Sequence, residues 1–79
     1  MAILNTKEIA AIFADPIWAA RFPLLLTVDQ AAELAQIPKA TIYSWSSQGR
    51  LDLCKVRVGK YVRFLRNEFY LLIANGELK

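Results

Sequence analysis

Two stretches of the sequence carry the side chains that could do chemistry. Residues 36–50 read QIPKATIYSWSSQGR and combine short hydroxyls and amides with two large aromatic rings. Residues 54–64 read CKVRVGKYVRF and interleave four cationic side chains with valines and a tyrosine. Hydroxyls, amides and cations of this kind hydrogen-bond to polar edges and attract anions. Both stretches therefore favour binding to another macromolecule over catalysis.

The groups that catalysis needs are missing. The sequence contains no histidine, which is the commonest general base and metal ligand. Its seven acidic residues are scattered, and it has no GxxxxGK[ST] phosphate loop. The single cysteine, Cys54, forms neither an internal disulfide nor a metal site alone, and we expect it to be a buried apolar residue. We predict no enzyme activity, no catalytic residue, no metal site and no cofactor.

Positive charge is concentrated in one segment. Residues 38–66 hold seven basic residues and one acid, a net charge of +6, whereas the rest of the chain has a net charge of −3. Concentrated positive charge is typical of a phosphate-binding surface. A solvated face that keeps a small protein in solution has the same composition, so charge alone leaves both interpretations open.

The length and hydropathy of the chain limit its class. With 79 residues, of which 56% are hydrophobic, it can form one small globular domain. It has no run of about 18 apolar residues that could span a membrane. The start, MAILNTKEI, lacks the basic end and apolar centre of a signal peptide. We expect a cytoplasmic protein with no membrane partner.

Local patterns predict helices at both ends. Residues 5–15 begin with the capping-box pair Asn5 and Glu8 and place apolar residues at helical spacing, and Pro16 ends or kinks that helix. The following IWAARF adds another helical turn. Residues 66–74 form the last helix, which Asn75-Gly76 stops. We therefore divide the chain into residues 1–23, a helical extension that packs on the core, and residues 24–79, the main domain.

The middle of the chain predicts two short helices joined by a tight turn. Thr27 and Gln30 are a second capping pair, and this helix ends near Gln36. Pro38 suits the first turn of the next helix. If Ile42 points inward, the opposite face and its flanks carry mostly short polar groups. Such groups can approach base edges in a major groove about 12 Å wide, and the pair is then a helix-turn-helix whose second helix is the reader.

The stretch CKVRVGKYVRF predicts a β-hairpin. Apolar and polar residues alternate on both sides of Gly59-Lys60, and Gly59 can take the left-handed first position of a type II′ turn. We predict one wholly apolar face, made by Cys54, Val56, Val58, Val62 and Phe64. The other face then carries Lys55, Arg57, Tyr61 and Arg63. On this interpretation Val58→Asp unfolds the protein by burying an unpaired charge.

The order of these motifs resembles the excisionase and MerR-like winged helix-turn-helix family. The resemblance covers about residues 25–73 and rests on Leu26-Thr27-Val28-Asp29, Ala31-Ala32-Glu33-Leu34, Thr41-Ile42-Tyr43-Ser44-Trp45, Gly49-Arg50-Leu51 and Val56-Arg57-Val58-Gly59-Lys60. The departures are Gln36 and Pro38, where the family usually has Gly and Ser or Thr, Ser46 in place of an aliphatic residue, and Leu65 in place of a polar helix cap.

The resemblance implies a mostly α fold with a β-hairpin wing, here a winged helix-turn-helix with an extra N-terminal helical segment. It implies binding to double-stranded DNA, with the reader helix in the major groove and the wing on the backbone and minor groove. We expect base contacts from Lys39, Ala40, Thr41, Tyr43, Ser44, Ser47 and Gln48. We expect backbone and wing contacts from Arg50, Lys55, Arg57, Lys60, Tyr61, Arg63 and Arg66.

Three biological roles fit these features. The first is an excisionase-like accessory protein of a phage or mobile element, which sets the direction of recombination. The second is a small transcriptional regulator of such an element. The third, from another class, is a protein-interaction or DNA-packaging module that docks a partner through the N-terminal helix. A second copy of the chain or a recombinase could be a partner, and no small-molecule ligand is expected.

Overall fold

The architecture is mostly helical with a small antiparallel sheet. A computed structural model describes residues 4–76. In chain order the elements are α1 (Thr6–Ile12), α2 (Pro16–Arg21), β1 (Leu25–Leu26), α3 (Val28–Ala35), α4 (Lys39–Ser47), β2 (Lys55–Val58), β3 (Tyr61–Leu65) and α5 (Arg66–Ala74). The predicted fold class, a winged helix-turn-helix with an N-terminal helical segment, is confirmed.

The N-terminal helices begin where their capping residues predict. The Asn5 carboxamide oxygen accepts from the Glu8 N–H (2.8 Å), and the Glu8 carboxylate accepts from the Asn5 N–H (3.1 Å). Pro16 is the first residue of α2, whose cap is Asp15, with its carboxylate 2.9 Å from the Ile17 nitrogen. The predicted additional helical turn is therefore a separate helix, which starts at the proline.

Residues of the N-terminal segment share one core with the rest of the chain. Ile9, Phe13 and Phe22 are buried in the same cluster as residues of α3, α4 and α5. Arg66, at the start of α5, holds this segment in place. Its guanidinium donates to the Phe22 carbonyl (2.9 Å) and lies 4.3 Å from the centroid of the Phe13 ring. A hydrogen bond to a charged donor and a cation–π contact both stabilise this junction.

A left-handed residue makes the turn between α3 and α4. Thr27 and Gln30 form the predicted capping box at the start of α3. At its end Gln36 adopts φ 59°, and it is the one non-glycine residue with positive φ within residues 4–76. The next residue, Ile37, donates to the Ala32 carbonyl (3.0 Å) and closes the turn. Gln36 thus adopts a conformation for which glycine is the usual choice.

The second helix of the pair, α4, starts without a side-chain cap. Pro38 stands just before it with extended backbone, φ −64° and ψ 150°, and α4 begins at Lys39. Ile42 is the fully buried residue of this helix, and Trp45 packs partly buried against the same core. Ala31 and Ala32 of α3 belong to that core too, and such small side chains allow two helices to approach closely.

The sheet contains one strand that the sequence did not predict. Its order is β1-β3-β2, and β1 pairs antiparallel with β3 through Leu25–Leu65 and Leu26–Phe64. The predicted hairpin is present as β2 and β3. Gly59 has φ 62°, whereas Lys60 is not among the residues with positive φ. Positive φ at the first turn position alone is typical of type II′, as the sequence predicted.

The predicted sorting of the hairpin faces is wrong. Residues opposite each other across two strands point to the same face. The register pairs Lys55 with Phe64 and Arg57 with Val62, so two cations share a face with two apolar residues. The error arises at the turn, because a two-residue loop pairs even-numbered residues of β2 with odd-numbered residues of β3.

The opposite face of the hairpin is correspondingly mixed and largely solvent-accessible. Val56 pairs with Arg63, and Val58 pairs with Tyr61. Val58 is 48% exposed, whereas Phe64 on the first face is 1% exposed. An aspartate at position 58 would therefore remain hydrated, so the expectation that Val58→Asp unfolds the protein is also wrong.

A matched pair of substitutions tests the corrected faces. We expect Val62→Asn to lower the free energy of unfolding by about 1–3 kcal/mol, because it places an amide against the core. Val58→Asn should change it by less than about 0.5 kcal/mol. Asparagine is preferable to aspartate because an acid at position 62 would face Arg57 across the strands. Urea unfolding measures the stability of both variants. Equal decreases in the free energy of unfolding would contradict the strand register.

Candidate nucleic-acid interface

One face of α4 is available for contact along its whole length. Ile42 anchors the helix to the core, and Trp45 is half-buried beside it. Thr41 is half-buried on the flank. The exposed residues on the other side are Lys39, Ala40, Tyr43, Ser44, Ser47 and Gln48. Six of the seven residues expected to read bases therefore lie on α4, and the seventh, Gln48, caps its C-terminal end. Thr41 is the least accessible of them.

Hydrogen bonds organise the C-terminal half of this face. The Gln48 amide nitrogen donates to the Ser44 hydroxyl oxygen (3.1 Å), and the Ser47 hydroxyl donates to the Ser44 carbonyl (2.9 Å). The Gln48 side chain is thus held along the helix and keeps its carbonyl oxygen and a second N–H for another partner. The face presents both donors and acceptors at a fixed spacing, which is what hydrogen bonding to base edges requires.

The N-terminal end of the face carries an ion pair that the sequence analysis missed. The Lys39 ammonium lies 3.0 Å from a carboxylate oxygen of Asp29, in the first turn of α3. The hydrogen bond to Asp29, and then its charge, raise the pKa of Lys39. The sequence identifies Asp29 only as part of the family motif at residues 26–29. Residues ten positions apart meet here because the turn at Gln36 folds α4 back against α3.

One face of the hairpin borders the reader helix. The Lys55 ammonium donates to the hydroxyl (3.2 Å) and the carbonyl oxygen (3.4 Å) of Ser46, near the end of α4. It also lies 3.5 Å from a carboxylate oxygen of Asp52. A cation is favourable at the negative end of a helix. Arg57, two residues further along β2, is on the same face and is exposed. Lys55 and Arg57 therefore follow α4 on the same side of the hairpin.

The other face of the hairpin holds a cation–aromatic cluster. Tyr61 is 55% exposed, and the cationic groups of Arg63 and Lys60 lie 5.4 Å and 5.5 Å from the centroid of its ring. Arg63 also donates to the Val62 carbonyl (2.9 Å). The register turns Arg63 away from the face that carries Lys55 and Arg57. The structure thus separates Arg63 and Tyr61 from Lys55 and Arg57, whereas Lys60 at the tip lies beside Tyr61.

The two remaining expected cations lie outside the hairpin. Arg50 follows α4 directly, is exposed, and donates its backbone N–H to the Trp45 carbonyl (3.0 Å). Gly49, with φ 77°, makes the turn that allows this bond. Arg66 is partly buried, and its guanidinium is engaged by Phe22, Phe13 and Asn67. Desolvation lowers the pKa of Arg66. Arg66 therefore holds the N-terminal segment instead of extending the exposed basic surface.

Cys54 adds no reactive group to this surface. Cys54 is fully buried, as predicted, and its thiol lies 3.3 Å from the Leu51 carbonyl. Burial raises the pKa of the thiol to about 11, so it is protonated at neutral pH. Residues 4–76 contain no group of three or more Cys, Asp or Glu side chains placed to hold a metal ion. Over the same residues, no helix has the length and apolarity that crossing a bilayer requires.

A groove lies between the N-terminal segment and the helices α3 and α5. It has a volume of about 250 Å³ and is lined by residues of the N-terminal segment, α3 and α5. Arg21 of α2 and Glu33 of α3 form an exposed ion pair at its edge. This pair is comparable in exposure to Lys39–Asp29 but involves none of the residues expected to contact DNA.

Comparison with known proteins agrees with the geometry. A family model described as a helix-turn-helix domain matches residues 25–77, which include α3, α4, the hairpin and α5. The match confirms the family resemblance seen in the motifs, and it begins after α1 and α2. No curated protein and no solved structure matches the chain.

Proposed function

Since the chain belongs to this family of helix-turn-helix domains, whose members bind DNA, we propose that it binds a double-stranded site with α4 in the major groove and the hairpin on the flanking backbone and minor groove. The observation that supports this arrangement best is the contact of Lys55 with Ser46. It sets the Lys55–Arg57 face of the wing beside the reader helix, so that one duplex can reach both.

The exposed face of α4 suits direct reading of bases. A major groove about 12 Å wide admits an α-helix, whose diameter with side chains is about 10–12 Å, and the helix approaches the base edges most closely where its side chains are short. Ala40, Ser44 and Ser47 meet that condition, while Lys39, Tyr43 and Gln48 extend the reach at both ends. We assign base contacts to these six residues, with Thr41 at the edge.

Backbone contacts are assigned to the cations that border this face. Arg50 follows α4, Lys55 and Arg57 lie on the adjoining face of the wing, and Lys60 is at its tip. Contacts to phosphate position the protein and supply the part of the affinity that depends on salt. We assign Arg63 and Tyr61 to wing packing because the register places them on the opposite face of the hairpin from Lys55 and Arg57. We assign Arg66 to the fold because it is partly buried against Phe22 and Phe13.

The biological role that we propose is that of an excisionase-like accessory protein of a phage or mobile element. The family membership and the order of the motifs support it, and so does a surface with one reader helix and one wing. A transcriptional regulator would use the same surface, so the two roles differ in what the bound DNA does.

A comparison of two arginines tests the wing assignment. We expect Arg57→Ala to weaken binding to every duplex and to reduce the slope of log K against log salt concentration by about 0.9, because one phosphate contact is lost. Arg63→Ala serves as the matched control and should leave that slope nearly unchanged. Fluorescence anisotropy at several salt concentrations measures both. An equal reduction in the two variants would show that DNA contacts the other face of the hairpin.

A substitution on α4 tests base reading. Ser44→Ala removes a hydroxyl and releases the Gln48 amide. We expect it to change the preference at one or two base positions by about 1–3 kcal/mol per contact. Selection from a randomised duplex library measures the preference, with Thr6→Ala on α1 as a control that should select the wild-type site. An unchanged preference in Ser44→Ala would contradict the reader-helix assignment.

Binding to genomic fragments distinguishes the two roles. For an excisionase-like protein we expect the selected fragments to lie beside recombination sites, to bind several copies cooperatively, and to bend when bound. Gel mobility of circularly permuted fragments measures the bend. Promoter fragments that remain straight, together with repression of a linked reporter, would instead identify a regulator. Binding of a protein partner to the N-terminal segment without DNA would favour an interaction module.

A further inference from the structure

Asp29 is an acid at the edge of a surface proposed to bind phosphate. Its side chain is 75% exposed and holds the ammonium of Lys39, which is itself 59% exposed. An ion pair between two exposed side chains contributes little to stability. The start of α3 is capped by Thr27 and Gln30, so the cap does not depend on Asp29. The fold alone therefore accounts for an acid here only through the modest stabilisation that a carboxylate gives at the positive end of a helix.

The position of the pair gives Asp29 an effect on binding. Lys39 is the first residue of α4, at the end of the reader helix that meets the duplex under the proposed function. A carboxylate there repels nearby phosphates and occupies one of the three donors of the Lys39 ammonium. The other two donors stay available, and paired acceptors of the kind that guanine O6 and N7 offer suit them.

We propose that Asp29 is a positioning residue that determines specificity, because it restrains Lys39 for base reading and prevents it from neutralising any phosphate within reach. Affinity for an arbitrary duplex is lower as a result, and discrimination in favour of the specific site is higher. The proposal rests on the proposed function, since it requires α4 to face DNA. Asp29 would thus contribute to specificity by repulsion, because its carboxylate disfavours binding to incorrect sequences.

The main experiment compares wild-type protein with Asp29→Asn on a duplex of arbitrary sequence. The freed Lys39 should add about one phosphate contact, which adds about 0.9 to the salt slope. Between about 50 and about 200 mM salt, the variant should then lose about 3-fold to 4-fold more affinity than the wild type. On the selected site its affinity should rise less than on the arbitrary duplex, so the specificity ratio should fall.

Glu33→Gln is the matched control for net charge. It also neutralises the acid of an exposed ion pair, but that pair lies beside the groove of the N-terminal segment. It should leave the salt slope and the specificity ratio unchanged. Asp29→Glu keeps the charge and should retain the specificity of the wild type, which a merely steric role for Asp29 would not explain.

A double-mutant cycle tests whether Asp29 acts through Lys39. In a Lys39→Gln background, Asp29→Asn should no longer steepen the salt dependence, because the cation that it releases is absent. If Asp29→Asn behaves like Glu33→Gln, or steepens the slope equally in both backgrounds, the proposal is wrong. Those results leave the proposed function intact, provided that the wild-type protein binds duplex DNA and that Arg57→Ala weakens this binding. Failure of the wild type to bind any duplex overturns both.

Discussion

The burial of Ile42 fixes the reader helix, and the rest of the surface depends on it. An isolated helix of nine residues is marginal in water, so α4 exists because it packs on the core. Ile42 is its fully buried residue, set in the same cluster as Ala31 and Ala32 of α3. Ile42 and half-buried Trp45 make the contacts between α4 and the core. The residues on the outer side of the helix therefore do not need to pack against other parts of the protein. The side chains on that outer side can therefore be of types that suit contact with DNA.

A helix held by so few residues needs support from elsewhere in a chain of 79 residues. The N-terminal segment supplies part of it, since Ile9, Phe13 and Phe22 enlarge the common core. Arg66 fastens that segment through the Phe22 carbonyl and the Phe13 ring. Near the end of α4, the Lys55 ammonium donates to the Ser46 carbonyl. The N-terminal segment therefore supports the reader helix through the common core, and the wing supports it through this contact.

Features set by neighbouring residues could be predicted from the sequence, and features set by distant pairing could not. Both capping boxes and the Gly59 turn depend on contacts within a few positions, and all three are present as predicted. The exposed face of α4 was predicted correctly from the helical period of about 3.6 residues. The hairpin faces were predicted wrongly although the turn is local, because the predicted two-residue loop pairs even-numbered residues of β2 with odd-numbered residues of β3. The strand β1, the pairing of Asp29 with Lys39 and the contacts of Arg66 depend on the folded chain, and no local pattern reveals them.

Contacts that form only in the folded chain also limit how well the number of charges in the sequence predicts affinity for DNA. Residues 38–66 have a net charge of +6, yet Lys39, Lys55, Arg63 and Arg66 each have a partner within the protein. A cation that is already paired must exchange one partner for another when it meets phosphate, so it adds less to affinity than an unengaged one. The net charge of residues 38–66 therefore overestimates the electrostatic attraction between the protein and DNA. Under the proposed function, discrimination between sequences would then depend more on the short side chains of α4, which would form hydrogen bonds with the correct base edges and leave polar groups unsatisfied on incorrect ones.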